Sequence, residues 1–287
     1  MNDFAAMTQE LLDRASLSGR ERREYEGLLQ GLHAIRNRPD ANPHGMSMGM
    51  TAGGAMTLVM MAAMSGVPFK KFRKLVTRGD LRSLAPGADL EESLLAMTQG
   101  LAPPDQAAEM QRQLQAQTER RATLACGAGC WFCCASHTNI AVTVAEVEAV
   151  WSEIRDRDTG PRLHPNACPA LDSDGRCAAY EVRPQPCRSY GSVSVEACRR
   201  VLGDEPEDPE EDDPFVHATS AFNPHMVTLV LSHALGSAPT FVDLLTALRD
   251  LRSGEPFERA IANASAANGR FNASEEGWRK RWTATEL

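Results

Sequence analysis

Several features that would point to familiar functions are missing. The formal net charge is −8, so a nucleic-acid role has no electrostatic support. Met1-Asn-Asp-Phe-Ala-Ala-Met7 offers neither the basic nor the apolar stretch of a secretory signal, and the expectation is a cytoplasmic protein. Neither a glycine-rich phosphate loop nor a Gly-x-Ser-x-Gly elbow is found, which leaves nucleotide binding and serine-hydrolase chemistry without a motif. No internal repeat is present. Cysteine is the most unevenly spread residue of all: none precedes Cys126 and none follows Cys198.

What is there is a concentration of thiols. Four of the eight cysteines fall within nine residues, as Cys126, Cys130, Cys133 and Cys134. Cys168, Cys177, Cys187 and Cys198 follow at intervals. In a long chain without an export signal, this spacing favours metal binding over disulfides. Soft thiolates this close together select zinc, copper(I) or iron–sulfur clusters. A Cys–His hydrolase would need one activated cysteine beside a base, and ligation would consume the thiolates instead. All eight are candidate metal ligands.

The adjacent pair constrains the arrangement. Side chains of Cys133 and Cys134 are expected to diverge, so that one binds a metal while the other faces a second metal, a neighbouring iron or a packed interior. Gly127 and Gly129 allow a tight turn, and Trp131 and Phe132 can shield the site from water. In the second half Asp174-Gly175 signals a turn, while Pro169, Pro184 and Pro186 break regular structure near the cysteines. Arg183 and Arg188 flank Cys187 and can offset thiolate charge. A single four-thiolate centre is expected to draw on both halves: Cys130, one of Cys133 and Cys134, and at least one of Cys168, Cys177 and Cys187.

These residues carry a resemblance. Cys130-x2-Cys133-Cys134, Thr143-x2-Glu146, Cys168-Pro-x-Leu171, Gly175-x-Cys177-x2-Tyr180 and Arg183-Pro-x2-Cys187-Arg188 resemble the bacterial cysteine-cluster family. It is called the YkgJ-type or CxxCxxCC family, a zinc- or iron-chelating domain. The likeness covers about residues 124–200, and implies a zinc ion or iron–sulfur cluster as cofactor. One departure is visible: the family name implies a cysteine three before Cys130, where this chain has Gly127 and, one residue earlier, Cys126. Flagellin lysine methylases are similar to the same family and imply a cluster beside an S-adenosylmethionine site. The leading expectation is a non-catalytic metal-chelating protein or a cluster module serving a partner protein. The alternative is a cluster-dependent enzyme, redox or methylase-like, although no catalytic motif is found.

The rest of the chain is helical in pattern. Phe4 to Ile35 suggests two amphipathic helices. Gly45–Phe69 has no charge over 25 residues and contains seven methionines. It suggests a buried or interfacial helix. The competing readings are a membrane span flanked by Lys70, Lys71, Arg73 and Lys74, and copper(I) capture by His44, Met46, Met48 and Met50. A basic helix over 72–84, a short one from Asp89 to Met97 and a longer one over 106–124 follow. Thr143 and Glu146 form a capping box, preferred over metal ligation by Glu146. His164, His217, His225 and His233 are preferred as ordinary core or surface residues. Residues 204–213 hold eight carboxylates and two prolines, a hydrated linker. A helix opening at Thr240 and a Trp278–Trp282 helical pair are expected near the end.

The expected organisation is a helical region over 1–122, a cysteine-cluster domain over 123–203, an acidic linker over 204–214 and a second helical region over 215–287. The expected fold class is mainly α, with helices around an irregular cysteine-rich centre and little or no sheet.

Overall fold

The computed structural model describes residues 2–37, 48–84, 107–108, 111–112, 115, 119, 123–126, 129–136, 139–159, 163–202, 215–217, 223–237 and 241–268. The expected helix over 89–97, the acidic run, His44 and Met46 of the methionine-rich motif, and the Trp278–Trp282 pair lie outside the described residues. The helices are α1 (Asn2–Arg14), α2 (Gly19–Arg36), α3 (Met48–Met64), α4 (Phe69–Arg78), α5 (Phe132–Ser136), α6 (Val144–Ile154), α7 (Gln185–Ser189), α8 (Val195–Leu202), α9 (Pro224–Ala234), α10 (Leu244–Arg252) and α11 (Phe257–Ala267). Two 3-10 turns, at Arg82–Leu84 and Tyr180–Val182, and four strands of three residues each complete the described elements: β1 (Ala141–Thr143), β2 (Tyr190–Ser192), β3 (Phe215–His217) and β4 (Phe241–Asp243). The fold is mainly α.

The chain forms two compact units, each assembled from two separate stretches. One comprises Met1–Ala116 and Thr219–Pro239, the other Gln117–Ala218 and Thr240–Leu287.

In the first unit α3 is the central helix, packed against α1, α2 and α9. Every residue from Thr51 to Val59 is buried, as a helix apolar on all sides requires. The uncharged methionine-rich stretch therefore supplies core. Among the described residues no helix is long and apolar enough to cross a membrane. Helix α2 starts at a capping box between Ser18 and Glu21 and buries Tyr25, Leu28, Leu29, Leu32 and Ile35. The Tyr25 hydroxyl donates to the Val67 carbonyl at 2.8 Å, and its ring meets Phe69 and Phe72 edge-on. The basic helix expected over 72–84 is divided. Gly79, at φ 70°, ends α4, because a left-handed residue stops the i→i−4 ladder. A 3-10 turn at Arg82–Leu84 follows.

The second unit is built on two matching strand-to-helix turns. Strand β1 runs directly into α6, and β4 into α10. The two strands pair antiparallel, with Val142 opposite Val242. Thr143 caps α6 through the expected box with Glu146. Asp243 caps α10, its carboxylate accepting the Thr246 amide at 2.9 Å and the Ile140 amide at 2.9 Å. The expected helix at Thr240 thus begins later, at Leu244: Phe241–Asp243 is a strand, since both Phe241 and Val242 are buried and the cap stands at Asp243. The helical pattern expected from Phe215 is likewise replaced at its start, where β3 pairs with β2. The apolar faces of α6, α10 and α11 form one core, with Val147, Val150, Ile154, Leu245, Leu248 and Ala260 inside it.

Candidate metal centre

All eight cysteines lie in the second unit and all are free thiols. The first run leaves residues 123–126 and reaches α5. Gly129 adopts φ 85° and its carbonyl comes up against the turn at Gly175. That turn has φ 75°, and a Cβ on Gly175 would stand 2.7 Å from Trp131 Cδ1 and 3.1 Å from the Gly129 carbonyl oxygen. Asp172 closes the same turn by accepting the Asp174 amide at 3.0 Å and the Arg176 amide at 2.8 Å. Trp131 stacks on Phe132 at 5.1 Å.

Cys134 sits in the last turn of α5, where backbone carbonyls lack intrahelical partners. Its carbonyl accepts the Cys168 amide at 2.9 Å. The chain then runs out and back: Ala170 accepts the Ala178 amide at 2.8 Å, and Leu171 and Cys177 form an isolated antiparallel bridge. Cys187 rides on α7, whose first amide, that of Gln185, donates to Glu146 Oε1 at 2.7 Å. The other carboxylate oxygen of Glu146 closes the Thr143 box. Glu146 therefore joins α6 to the helix that carries Cys187, a positioning role that its capping motif did not disclose. Cys168, Cys177 and Cys187 pack against the apolar core of α6, α10 and α11. Cys134 packs with Ala135, Ala167 and Leu171 in a second, smaller cluster.

Burial governs the thiols of this group. It pushes Cys168 up to about 11 and raises Cys177 and Cys187 above the ordinary range. The neighbouring charges acting on Cys187 include Cys168 and Cys177. Hydrogen bonding between the adjacent thiols lowers Cys133, aided by the Arg183 guanidinium, and raises Cys134. The charges of Cys133, Cys168 and Cys187 raise Cys134 further.

The remaining cysteines gather elsewhere. Cys126 is exposed, and its Sγ accepts the Ser192 amide at 3.2 Å. The Ser192 hydroxyl donates to the Ser194 carbonyl at 2.8 Å. Cys198 is buried in α8, which packs against α5. Burial raises Cys130, followed by the charges of Cys126, Cys133 and Cys198. Ser192 was not legible as a site residue; nothing in its sequence context marks it. Gly191 precedes it without a side chain because a Cβ there would stand 2.8 Å from Leu124 Cδ2, closing the approach that brings Cys126 to the β2 strand.

The two flanking arginines have different tasks. Arg188 Nε donates to the Arg183 carbonyl at 2.8 Å, so Arg188 braces the loop. Arg183 lies over the Tyr180 ring at 4.0 Å, and its charge acts on Cys133 and Cys177. His164 Nδ1 accepts the Asn166 amide at 3.2 Å within its own turn. His225 and His233 belong to the first unit. Among the described residues no three His, Cys, Asp or Glu side chains already stand around one point at metal-binding geometry.

No curated protein and no solved structure matches the chain. Residues 125–211, which contain all eight cysteines, match the model of the CxxCxxCC family, described as "Putative zinc- or iron-chelating domain".

Proposed function

We propose that the cysteine domain chelates metal through thiolates and that its occupant is an iron–sulfur cluster rather than zinc. The carrying observation is a sulfur-only donor set, Cys134, Cys168, Cys177 and Cys187, on adjoining segments of one unit with a guanidinium beside it. Such donors suit zinc and iron–sulfur centres alike. The Arg183 charge and the stacked Trp131–Phe132 pair favour a cluster, whose net charge and exposure to water set its potential. Bound there, a cluster would supply one-electron transfer, and zinc a structural cross-link. The protein's own contribution is to bury the thiols and to hold them on loops braced by Glu146, Arg188 and Asp172. Burial keeps these thiols protonated near neutral pH, so loading must release protons.

Anaerobic purification followed by elemental analysis, acid-labile sulfide determination and an absorption spectrum tests the reading. Brown protein with iron and sulfide is the expected result. Stoichiometric zinc without sulfide would replace the cluster with zinc, and absence of any bound metal would remove the chelating function itself.

A further inference from the structure

Over residues 45–79 the chain holds five cations and no acid. All five, Lys70, Lys71, Arg73, Lys74 and Arg78, fall within the ten residues of α4. The next acid, Asp80, is engaged with Ser83, whose hydroxyl donates to it at 2.6 Å. Helix α4 has two opposed faces. Phe72 and Val76, one turn apart, are buried, and the helix packs on α2 and α9. Lys70, Lys74 and Arg78 repeat the same four-residue spacing on the far side. At about 100° per residue, Lys74 stands roughly 160° round the axis from both Phe72 and Val76. Lys70, Lys71, Arg73 and Lys74 are exposed, and among the described residues none of the four forms an ion pair. Like charges crowded in this way repel one another, and an anionic partner would relieve that repulsion. An apolar edge adjoins them: Met64, at the end of α3, is 44% exposed, and Pro68 before α4 is exposed as well.

We propose that this face of α4 docks on an anionic lipid bilayer, a function that does not rest on metal chelation. The contact is with the bilayer surface: α3 is core, so the cations that follow it do not flank a span. Composition favours lipid over other polyanions. Three of the four exposed cations are lysines, which protein–protein interfaces avoid, whereas clusters of about four to eight Lys and Arg suit anionic headgroups. Nucleic-acid grooves add aromatic rings on which bases stack. Here Phe72 is buried, and the Tyr25 ring lies against both Phe69 and Phe72. Met64 can enter the headgroup layer beside the lysines, adding apolar contact that a soluble polyanion would not use. The net charge of −8 does not prevent the approach. At about 0.1 M salt, exposed charges more than about 10 Å away are largely screened, so a bilayer at α4 responds to the local cations.

The test mixes full-length protein with phosphatidylcholine vesicles, with or without phosphatidylserine, and sediments them. The protein should go down with the phosphatidylserine vesicles only, and less of it as salt rises. Each cation lost should weaken binding roughly fivefold, so Lys70→Gln and Lys74→Gln together should weaken it roughly 25-fold. Both side chains are exposed, and an unchanged urea midpoint would show that the fold is intact. Met64→Ser should weaken binding without altering its salt dependence. Failure to sediment with either vesicle would overturn the bilayer assignment, as would equal binding to both. Vesicle binding that survives the double substitution would also overturn it. Lysine-dependent binding of single-stranded RNA or polyglutamate without vesicle binding would reassign the face to a soluble polyanion and overturn the bilayer in the same way.

Discussion

The amide of Cys168 donates to the carbonyl of Cys134 at 2.9 Å. That one bond joins the compact first cysteine run to the loop-borne second set. It uses a carbonyl that the short helix α5 leaves without a partner. Two cysteines 34 positions apart in the chain are thereby held on adjoining segments.

Gly175 should be intolerant of any side chain. Its φ is 75° and a Cβ would stand 2.7 Å from the Trp131 ring. Gly175→Ala is expected to cost about 1–3 kcal/mol through strain and overpacking, and to lower metal content by displacing the Gly129 turn. Urea unfolding and metal analysis measure both. Unchanged stability would show that the two turns do not need their close approach.

Glu146→Ala should act at a distance from its own helix. It removes the Thr143 box and the acceptor of the Gln185 amide, a loss of about 1–3 kcal/mol. Because α7 carries Cys187, the metal content should fall with it. Glu146→Gln, which keeps the size and one acceptor oxygen, should be milder in both respects. A stability loss without any change in metal content would restrict Glu146 to capping.

The metal-free protein should weaken in alkali. Burial pushes Cys168 up to about 11 from an ordinary 9.0 and raises Cys177 and Cys187 as well. The folded chain therefore holds these protons more tightly than the unfolded chain. Their contribution to stability is complete below pH 9 and is lost as pH rises through about 11. Metal affinity should run the other way, rising with pH as protons become easier to displace. Urea midpoints measured across this range, with and without metal, check both signs. A midpoint of the metal-free protein that stays level from pH 9 to 11 would contradict the burial of these thiols.

Cys133 should be the most readily alkylated thiol of the metal-free protein near pH 7. Hydrogen bonding with Cys134 holds it below the ordinary thiol range, and the thiolate is the nucleophile. Cys134→Ala should slow its reaction with iodoacetamide at that pH, as followed by peptide mass spectrometry. Equal labelling rates in the two proteins would mean that the pair does not share its proton.

Tyr25→Phe provides a contrast in the first unit. It removes the donor to the Val67 carbonyl and should cost about 1 kcal/mol without changing metal content. A drop in metal content would mean that the first unit supports the cysteine domain in a way its own packing does not reveal.

Much of the fold was legible because its signals are local. Ser18-Gly-Arg-Glu21 and Thr143-Val-Ala-Glu146 each encode a cap within four residues, and both helices start where the caps stand. The uncharged run around Thr51–Val59 marked a helix buried on all sides. Strand β4 was not legible. Phe241-Val-Asp243 fits the helical spacing of the residues after it, and it becomes a strand only because Ala141–Thr143 lies alongside. The same holds for Phe215–His217, whose pairing partner is Tyr190–Ser192. The return of α9 to the first unit and of α10 and α11 to the second has no local signature at all, since helices of similar amphipathic pattern can pack in either place.

By itself the sequence determined the candidate donors: eight thiols in one quarter of the chain, with turns, prolines and cations around them, because ligand chemistry depends on residue type and local spacing. Which thiols are neighbours was decided only in three dimensions. Cys126 is held to β2 by the Ser192 amide, and Cys134 is joined to Cys168 by a backbone bond. Such contacts join segments distant in the chain, and their free energy comes from the packing of strands and helices whose residues bear no metal. A spacing motif records how far apart ligands are along the backbone, whereas the core beneath them sets which ones face each other.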